Sequence, residues 1–338
     1  MPLTDIWFLL IAVLWTGYFV LEGFDFGVGM LLGPLARDDT DRRVLINTIG
    51  PVWDGNEVWL LVAGGATFAA FPLWYSTLFS GFYLALLVIL VALIVRVVAF
   101  EFRGKVDSDR WRRSWDIAIM SCSAVPALLW GVAFGNIVHG VPIDAQHHFT
   151  GSFFTLLNPY ALLGGLATLS VFALHGAVFL ALKTTDELRA RARDLCRPLG
   201  SAAVLFGGGF LAWTAVDHGG WVWLPVALAA ATLVTGVLLA LEDREGLAFL
   251  CTAIAIVAIT AALFGALYPD VLPSTTDAAY SLTTTNAAST PYTLKIMTWV
   301  AVAFTPIVLA YQSWTYWVFR KRVGRSSIPA STGLTPVK

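Results

Sequence analysis

Apolar residues recur along the chain in blocks of about 20, separated by short polar breaks. The blocks fall at roughly 6–34, 52–72, 77–101, 116–138, 159–182, 200–217, 221–241, 247–268 and 294–319. As a helix each is long enough to cross a hydrocarbon core of about 30 Å. The pattern predicts an all-α polytopic membrane protein with about nine transmembrane helices packed in a bundle.

The polar breaks alternate in charge. Arg37, Arg42 and Arg43 follow the first block, and Arg103, Lys105, Arg110, Arg112 and Arg113 follow the third. Lys183, Arg189, Arg191, Arg193 and Arg197 follow the fifth, Arg244 the seventh, and Arg320, Lys321, Arg322 and Arg325 the ninth. The other connections, around 73–76, 139–158, 218–220 and 269–293, contain no Lys or Arg. Nine crossings put every basic connection on one side. Cytoplasmic loops carry the Lys/Arg excess, so the N-terminus is expected outside and the C-terminus in the cytoplasm.

Composition narrows the class. Of 338 residues 58% are apolar and only 13% charged, against about 25% charged in a soluble domain. This excludes an ordinary cytosolic enzyme, a disordered chain and a disulfide-stapled scaffold. The net charge of −1 gives no basic field for nucleic acid. Cys122, Cys196 and Cys251 are far apart and match no disulfide or thiolate-metal spacing. The N-terminal Met-Pro-Leu-Thr-Asp has no basic segment before its apolar run, so that run reads as a first span and not as a cleaved signal. Residues 1–322 are expected to form one membrane-embedded unit, and 323–338 a short disordered cytoplasmic tail. Gly23 and Gly27, Gly29 and Gly33, and Gly131 and Gly135 have the small-xxx-small spacing that lets helices approach closely.

Few ionisable residues fall within the spans, and their placement is the most informative chemical feature. Glu22 and Asp25 lie in the first span, Asp54 and Glu57 open the second, Arg96 is in the third, and Asp116 begins the fourth. Each of the two acidic pairs is spaced i, i+3 and shares a helix face. All lie in the cytoplasmic half: at 1.5 Å per residue, Asp25 is about 13 Å from the inner end of its span and Arg96 under about 10 Å. Charges at this depth are paired or functional. The residues alone leave two readings open: a proton pathway through carboxylates, or buried ion pairs and helix caps with Arg96 as counter-ion. For Asp116, beside Trp115 near the inner surface, the ion-pair reading is the better one.

A catalytic haem or metal finds little support. His139, His147, His148 and His218 lie in or beside outer connections, and only His175 falls inside a span, where packing is its expected role. No CxxCH, Walker, GxGxxG or GxSxG pattern occurs. Trp53, Trp59, Trp74, Tyr75, Trp221, Trp223, Trp299, Trp314, Tyr316 and Trp317 fall near predicted interfaces, where headgroup anchoring explains most of them.

Specific strings go further. Glu22-Gly-Phe-Asp-Phe-Gly-Val-Gly-Met30 and Pro51-Val-Trp-Asp-Gly-Asn-Glu-Val-Trp-Leu60 resemble the signature of subunit II of the cytochrome bd quinol oxidases. Ala63–Ala66, Phe79–Tyr83, Gly131–Asn136, Leu157–Pro159, Pro273–Thr275 and Lys295–Ala301 follow in the family's order, so the resemblance covers nearly the whole chain. It implies a nine-helix subunit that binds no haem itself, paired with a homologous subunit I holding the b- and d-type haems and the quinol-oxidation loop. A small accessory subunit, membrane lipid and a bound quinone are further partners compatible with it. The complex oxidises quinol, reduces O2 to water and builds a proton motive force across a bacterial cytoplasmic membrane. The chain alone is expected to have no catalytic activity.

By matching position, Asp54 within Trp53-Asp54-Gly55-Asn56 resembles the family's proton-path carboxylate, with Trp59 closing the motif. Asp25, Arg96 and Asp116 match polar positions tied to the pathway or to haem-site integrity. The expected proton path is therefore Asp54, Asp25, Glu57 and Glu22, with Arg96 and Asp116 as supporting charges. Glu57 and Glu22 depart from relatives that carry an amide or an aspartate there. The chain is also short around 218–220. A stand-alone proton-coupled transporter is the rival reading, but no inverted repeat supports it.

Overall fold

The structure is a computed structural model, described here for residues 1–329. Eleven α-helices make up almost all of it: α1 (Leu3–Leu35), α2 (Asp39–Ile49), α3 (Trp53–Ala70), α4 (Pro72–Gly81), α5 (Tyr83–Phe102), α6 (Asp109–His139), α7 (Pro159–Lys183), α8 (Asp186–His218), α9 (Trp223–Leu241), α10 (Glu245–Leu267) and α11 (Pro291–Val318). Among the described residues eight helices are long and apolar enough to cross a membrane: α1, α5 to α8, α9 with the turn before it, α10 and α11. The remaining expected span is α3, 18 residues or about 27 Å long. Its first turn holds Asp54, Asn56 and Glu57, which dilute its apolarity. The result is an all-α polytopic membrane protein.

Three helix boundaries differ from the hydropathy reading. The block at 77–101 is two helices, because Pro72 starts α4 and the chain turns at the buried Phe82 before α5. Proline disfavours helical backbone in the residue before it, and that ends α3 at Ala70. The block at 200–217 is the C-terminal part of a 33-residue α8 that runs back through the arginine-rich segment to Asp186. The connection after α1 contains α2, capped by Asp38, whose side chain accepts from the Asp41 amide at 2.9 Å.

Contacts sort the connections into two sets. At one end the Trp7 indole donates to the Leu294 carbonyl and Thr298, Tyr268 donates to Asp5, Thr77 donates to the His147 carbonyl, and the Ser289 amide donates to Ala70. There a two-stranded antiparallel sheet, β1 (Asp270–Leu272) and β2 (Leu282–Thr283), joins Val141 through a bridge to Ser274. At the other end every basic connection meets an acidic neighbour: Arg37 with Glu187, Arg42 with Asp116, Arg191 with Asp41, Arg189 with Glu245 and Arg325 with Asp38. The charged connections thus share one face, as the alternation requires.

The expected tail is not free where it is described. Val323 pairs with Thr184, and Arg325 reaches Asp38 and Asp41, holding residues 323–328 against α2 and the end of α7. Residues 330–338 lie outside the described residues.

Helix α1 packs on α7, α6, α3 and α10. Its approach to α7 depends on glycine at both partners. A Cβ on Gly27 would lie 2.2 Å from the Phe172 carbonyl oxygen and 2.6 Å from Gly176 Cα. Backbones pack at van der Waals contact there, the approach that small residues permit between membrane helices.

Candidate functional site

The intramembrane charges converge between α1, α3 and α5. Glu22, Asp25, Asn56 and Arg96 are fully buried, and Glu57 is partly so. Arg96 forms an ion pair with Glu22, and its Nη2 lies 3.6 Å from Glu57 Oε2. Its guanidinium carbon stands 4.6 Å from the centre of the Phe26 ring, one α-helical turn from Glu22. The i, i+3 spacing of Glu22 and Asp25 turns both inward from α1.

Asp25 meets no basic side chain directly. Its Oδ2 accepts from Asn56 Nδ2 at 2.7 Å. Asn56 Oδ1 in turn accepts from the Tyr316 hydroxyl at 2.8 Å and from Gln312 Nε2 at 3.2 Å, both on α11. The Trp59 indole donates to Gln312 Oε1 at 2.8 Å. Room for that indole comes from Gly17, where a Cβ would lie 2.2 Å from the ring. Several buried polar atoms have no protein partner: Glu22 Oε2, Asp25 Oδ1, Arg96 Nε and Arg96 Nη1. Native interiors leave few such atoms unpaired.

Asp54 and Gly55 are exposed at the N-terminal end of α3, where a Cβ on Gly55 would meet open space. Trp53 packs beside Phe100 with ring centres 5.6 Å apart. Along α3 the acidic groups therefore run from exposed Asp54, through partly buried Glu57, to buried Glu22 on α1.

Asp116 belongs to a different assembly. Its carboxylate accepts from Arg103 Nε at 2.5 Å and lies 3.3 Å from Arg42, while Arg103 also reaches Asp39 at 2.8 Å. Arg191 and Arg325 engage Asp41 nearby, and Arg325 also engages Asp38. The Arg325 guanidinium beside Asp38 holds its carboxyl below the usual carboxylate range. Burial works to push Asp41 up, but the hydrogen bonds from Arg191, the Arg37 amide and Arg325 bring it down on balance.

Two side chains were not legible from sequence. Gln312 has no span-internal charge to mark it. Tyr316 reads as one more interfacial aromatic, yet its hydroxyl points inward to Asn56. The i, i+4 spacing of the two, which sets them on one face of α11, is the signal that could have found them.

His175, the one histidine buried inside a span, has both ring nitrogens engaged, Nδ1 with Thr252 Oγ1 at 2.7 Å and Nε2 with the Val20 carbonyl at 3.2 Å. Its ring stacks on Phe249 at 4.6 Å. Among the described residues no three His, Cys, Asp or Glu side chains are grouped to hold a metal. His147 and His148 do not act together: His147 binds the Tyr280 carbonyl and His148 faces Asp144. An apolar cleft lined by Phe19, Trp130, Phe134, Phe172 and Phe210 has a volume of only about 30 Å³. Small-molecule sites are typically about 300–1,000 Å³.

Comparison with known proteins agrees with this architecture. The family model described as cytochrome bd terminal oxidase subunit II matches residues 3–319. Subunit 2 of the cytochrome bd-I ubiquinol oxidase of Escherichia coli K12 is 38% identical, with 97% of each chain covered. Subunit 2 of the cytochrome bd ubiquinol oxidase of Bacillus subtilis 168 is 40% identical, covering 95% of this chain and 97% of that one. A solved structure of bd oxidase from Geobacillus thermodenitrificans superposes with a TM-score of 0.79 at 16% identity, covering 94% of this chain and 99% of that one, and shows the shared fold. The chain belongs to the cytochrome bd terminal oxidase subunit II family.

Proposed function

We propose that the chain is the non-haem subunit of a quinol-oxidising, O2-reducing complex in a bacterial cytoplasmic membrane. It packs beside a haem-bearing subunit I, and its inner half supplies a route for cytoplasmic protons. The basic connections face the cytoplasm and the N-terminus lies outside. Reduction of O2 to water consumes protons, and drawing them from the inner side builds a proton motive force without a separate pump.

The observation that carries this reading is the graded burial of the carboxylates, from exposed Asp54 through Glu57 to Glu22 and Asp25. Glu22 and Glu57 share one guanidinium, Arg96, and Asp25 beside them has no basic partner. Unbalanced charge is costly in an apolar interior, so the cluster as a whole is neutralised by protons it can exchange. Asp54 collects protons at the inner surface, Glu57 and Glu22 pass them inward, and Arg96 keeps part of the cluster ionised and able to accept. Asp25, with a free Oδ1, is a further acceptor on α1, about one turn nearer the inner end than Glu22.

Helix α11 supports the association with subunit I. Leu294 is its only fully buried residue, and its remaining length carries exposed Trp299, Phe304, Ile307, Trp314 and Trp317, next to α3. Subunit I is placed on that face, over Asp54 and next to the cluster.

The test is Asp54→Asn in the intact complex with haem content matched to the parent. Quinol-driven O2 uptake is expected to fall about tenfold or more, a barrier increase of roughly 1.4 kcal/mol or above. Unchanged turnover would overturn the proton role of Asp54.

A further inference from the structure

Three polar side chains that no charge-based reading selects form a chain of donors leading to Asp25. The Trp59 indole nitrogen is a donor only. It lies 2.8 Å from Gln312 Oε1, so the Gln312 oxygen must face Trp59 and its amino group must face the other way. That amino group is 3.2 Å from Asn56 Oδ1, which also receives the Tyr316 hydroxyl at 2.8 Å. The Asn56 amino group is then turned to Asp25 Oδ2, 2.7 Å away. Amide orientations are usually ambiguous. Here a donor-only group at one end sets the sense of the whole series.

We propose that Trp59, Gln312 and Tyr316 are positioning residues for Asp25, acting through the amide of Asn56. Because Asn56 always presents a donor to Oδ2, that oxygen is held as an acceptor. Any proton Asp25 carries sits on Oδ1, the buried oxygen with no protein partner. The orientation of Oδ1 is thereby fixed by α11, a helix with little packing in this chain. This inference rests on the proton-path reading and assigns the geometry that reading needs.

The experiment compares four variants of the whole complex at matched haem content: Asp25→Asn, Asn56→Leu, the double Gln312→Leu/Tyr316→Phe, and the triple that joins the last two. Quinol-driven O2 uptake is one readout. The other is the infrared absorption of the protonated carboxyl that Asp25→Asn removes. The double is expected to lower turnover about tenfold, the weight of hydrogen bonds that orient an ionisable group, and to move the Asp25 band. The triple is expected to match Asn56→Leu alone, since the α11 side chains act only through that amide. If the double leaves the band in place, or lowers turnover further when Asn56 is already gone, the positioning role is overturned. If Asp25→Asn leaves turnover unchanged, the proton reading falls, while the band still decides whether α11 orients the carboxyl. Tyr316→Phe, which loses one hydroxyl, makes the same test should the double assemble poorly.

Discussion

The chain holds two networks of carboxylates and arginines, built to opposite rules. On the face that gathers the basic connections, proposed to be the inner one, Asp38, Asp39, Asp41 and Asp116 are met by Arg42, Arg103, Arg112, Arg191 and Arg325, so each carboxylate has at least one guanidinium at 2.5–3.7 Å. Inside the membrane Glu22 and Glu57 share the single Arg96, Asp25 has only the Asn56 amide, and several polar atoms have no partner. A saturated network resists change, because every proton added breaks a pair. An undersupplied one must trade protons to exist at low dielectric. The difference is the one expected between a fastening and the proposed proton route, and it groups Asp116 with the first.

The harshest way to break the comparison is to remove the one internal cation. Arg96→Leu strips Glu22 and Glu57 of their counter-charge, and breaking a buried pair from one side costs about 3–5 kcal/mol. The expected outcome is loss of assembled complex on size exclusion, restored in part by adding Glu22→Gln. A singly substituted Arg96→Leu complex that assembles with unchanged Tm would show the cluster to be already neutral.

Next come two matched amides. Asp116→Asn removes the carboxylate that holds Arg103 and Arg42, a loss of about 2–3 kcal/mol for hydrogen bonds to charge. Stability should fall while turnover per haem stays at the parent level. Asp25→Asn keeps the Asn56 contact through its carbonyl oxygen, so stability should change little while turnover drops about tenfold. Thermal unfolding and O2 uptake on the same samples read both. If each variant loses both properties together, the two networks are one structural unit and the distinction fails.

How much of this was legible beforehand follows from the range of the interactions. Spans and alternation depend on composition over about 20 residues, so apolar blocks and basic breaks disclosed them. The Glu22–Asp25 and Asp54–Glu57 pairs were visible because i, i+3 spacing is local. The partition of Asp116 away from Glu22 was suggested only by depth, and needed Arg103 and Arg42 to be decided. Helix α2 and the turn at Phe82 were missed. Short helices at a membrane surface lack a 20-residue apolar block, and Pro72 and Phe82 interrupt a stretch that is hydrophobic throughout. Asn56 meets Gln312 and Tyr316 across more than 250 residues of sequence, and no local pattern reports that meeting.

The mildest perturbation falls on the inner-face network at its most exposed member. Arg325 closes the chain end onto α2 through Asp38 and Asp41, with its own side chain more than half exposed. Exposed pairs contribute little and are screened by salt, so Arg325→Ala should lower the Tm of the complex by less than Asp116→Asn does. The sign with pH follows from Asp38, whose carboxyl Arg325 holds below its usual range. A depressed folded-state value gives stability that is present at neutral pH, above the unfolded value near 4, and is lost as pH falls through the folded value. The Tm gap between parent and Arg325→Ala should therefore be widest near neutrality, narrow as the pH is lowered below 4, and shrink in high salt. A gap indifferent to both pH and salt would mean that residues 323–328 are held by packing and the Val323–Thr184 bridge. The inner-face fastening would then owe less to charge than its saturated pairs suggest.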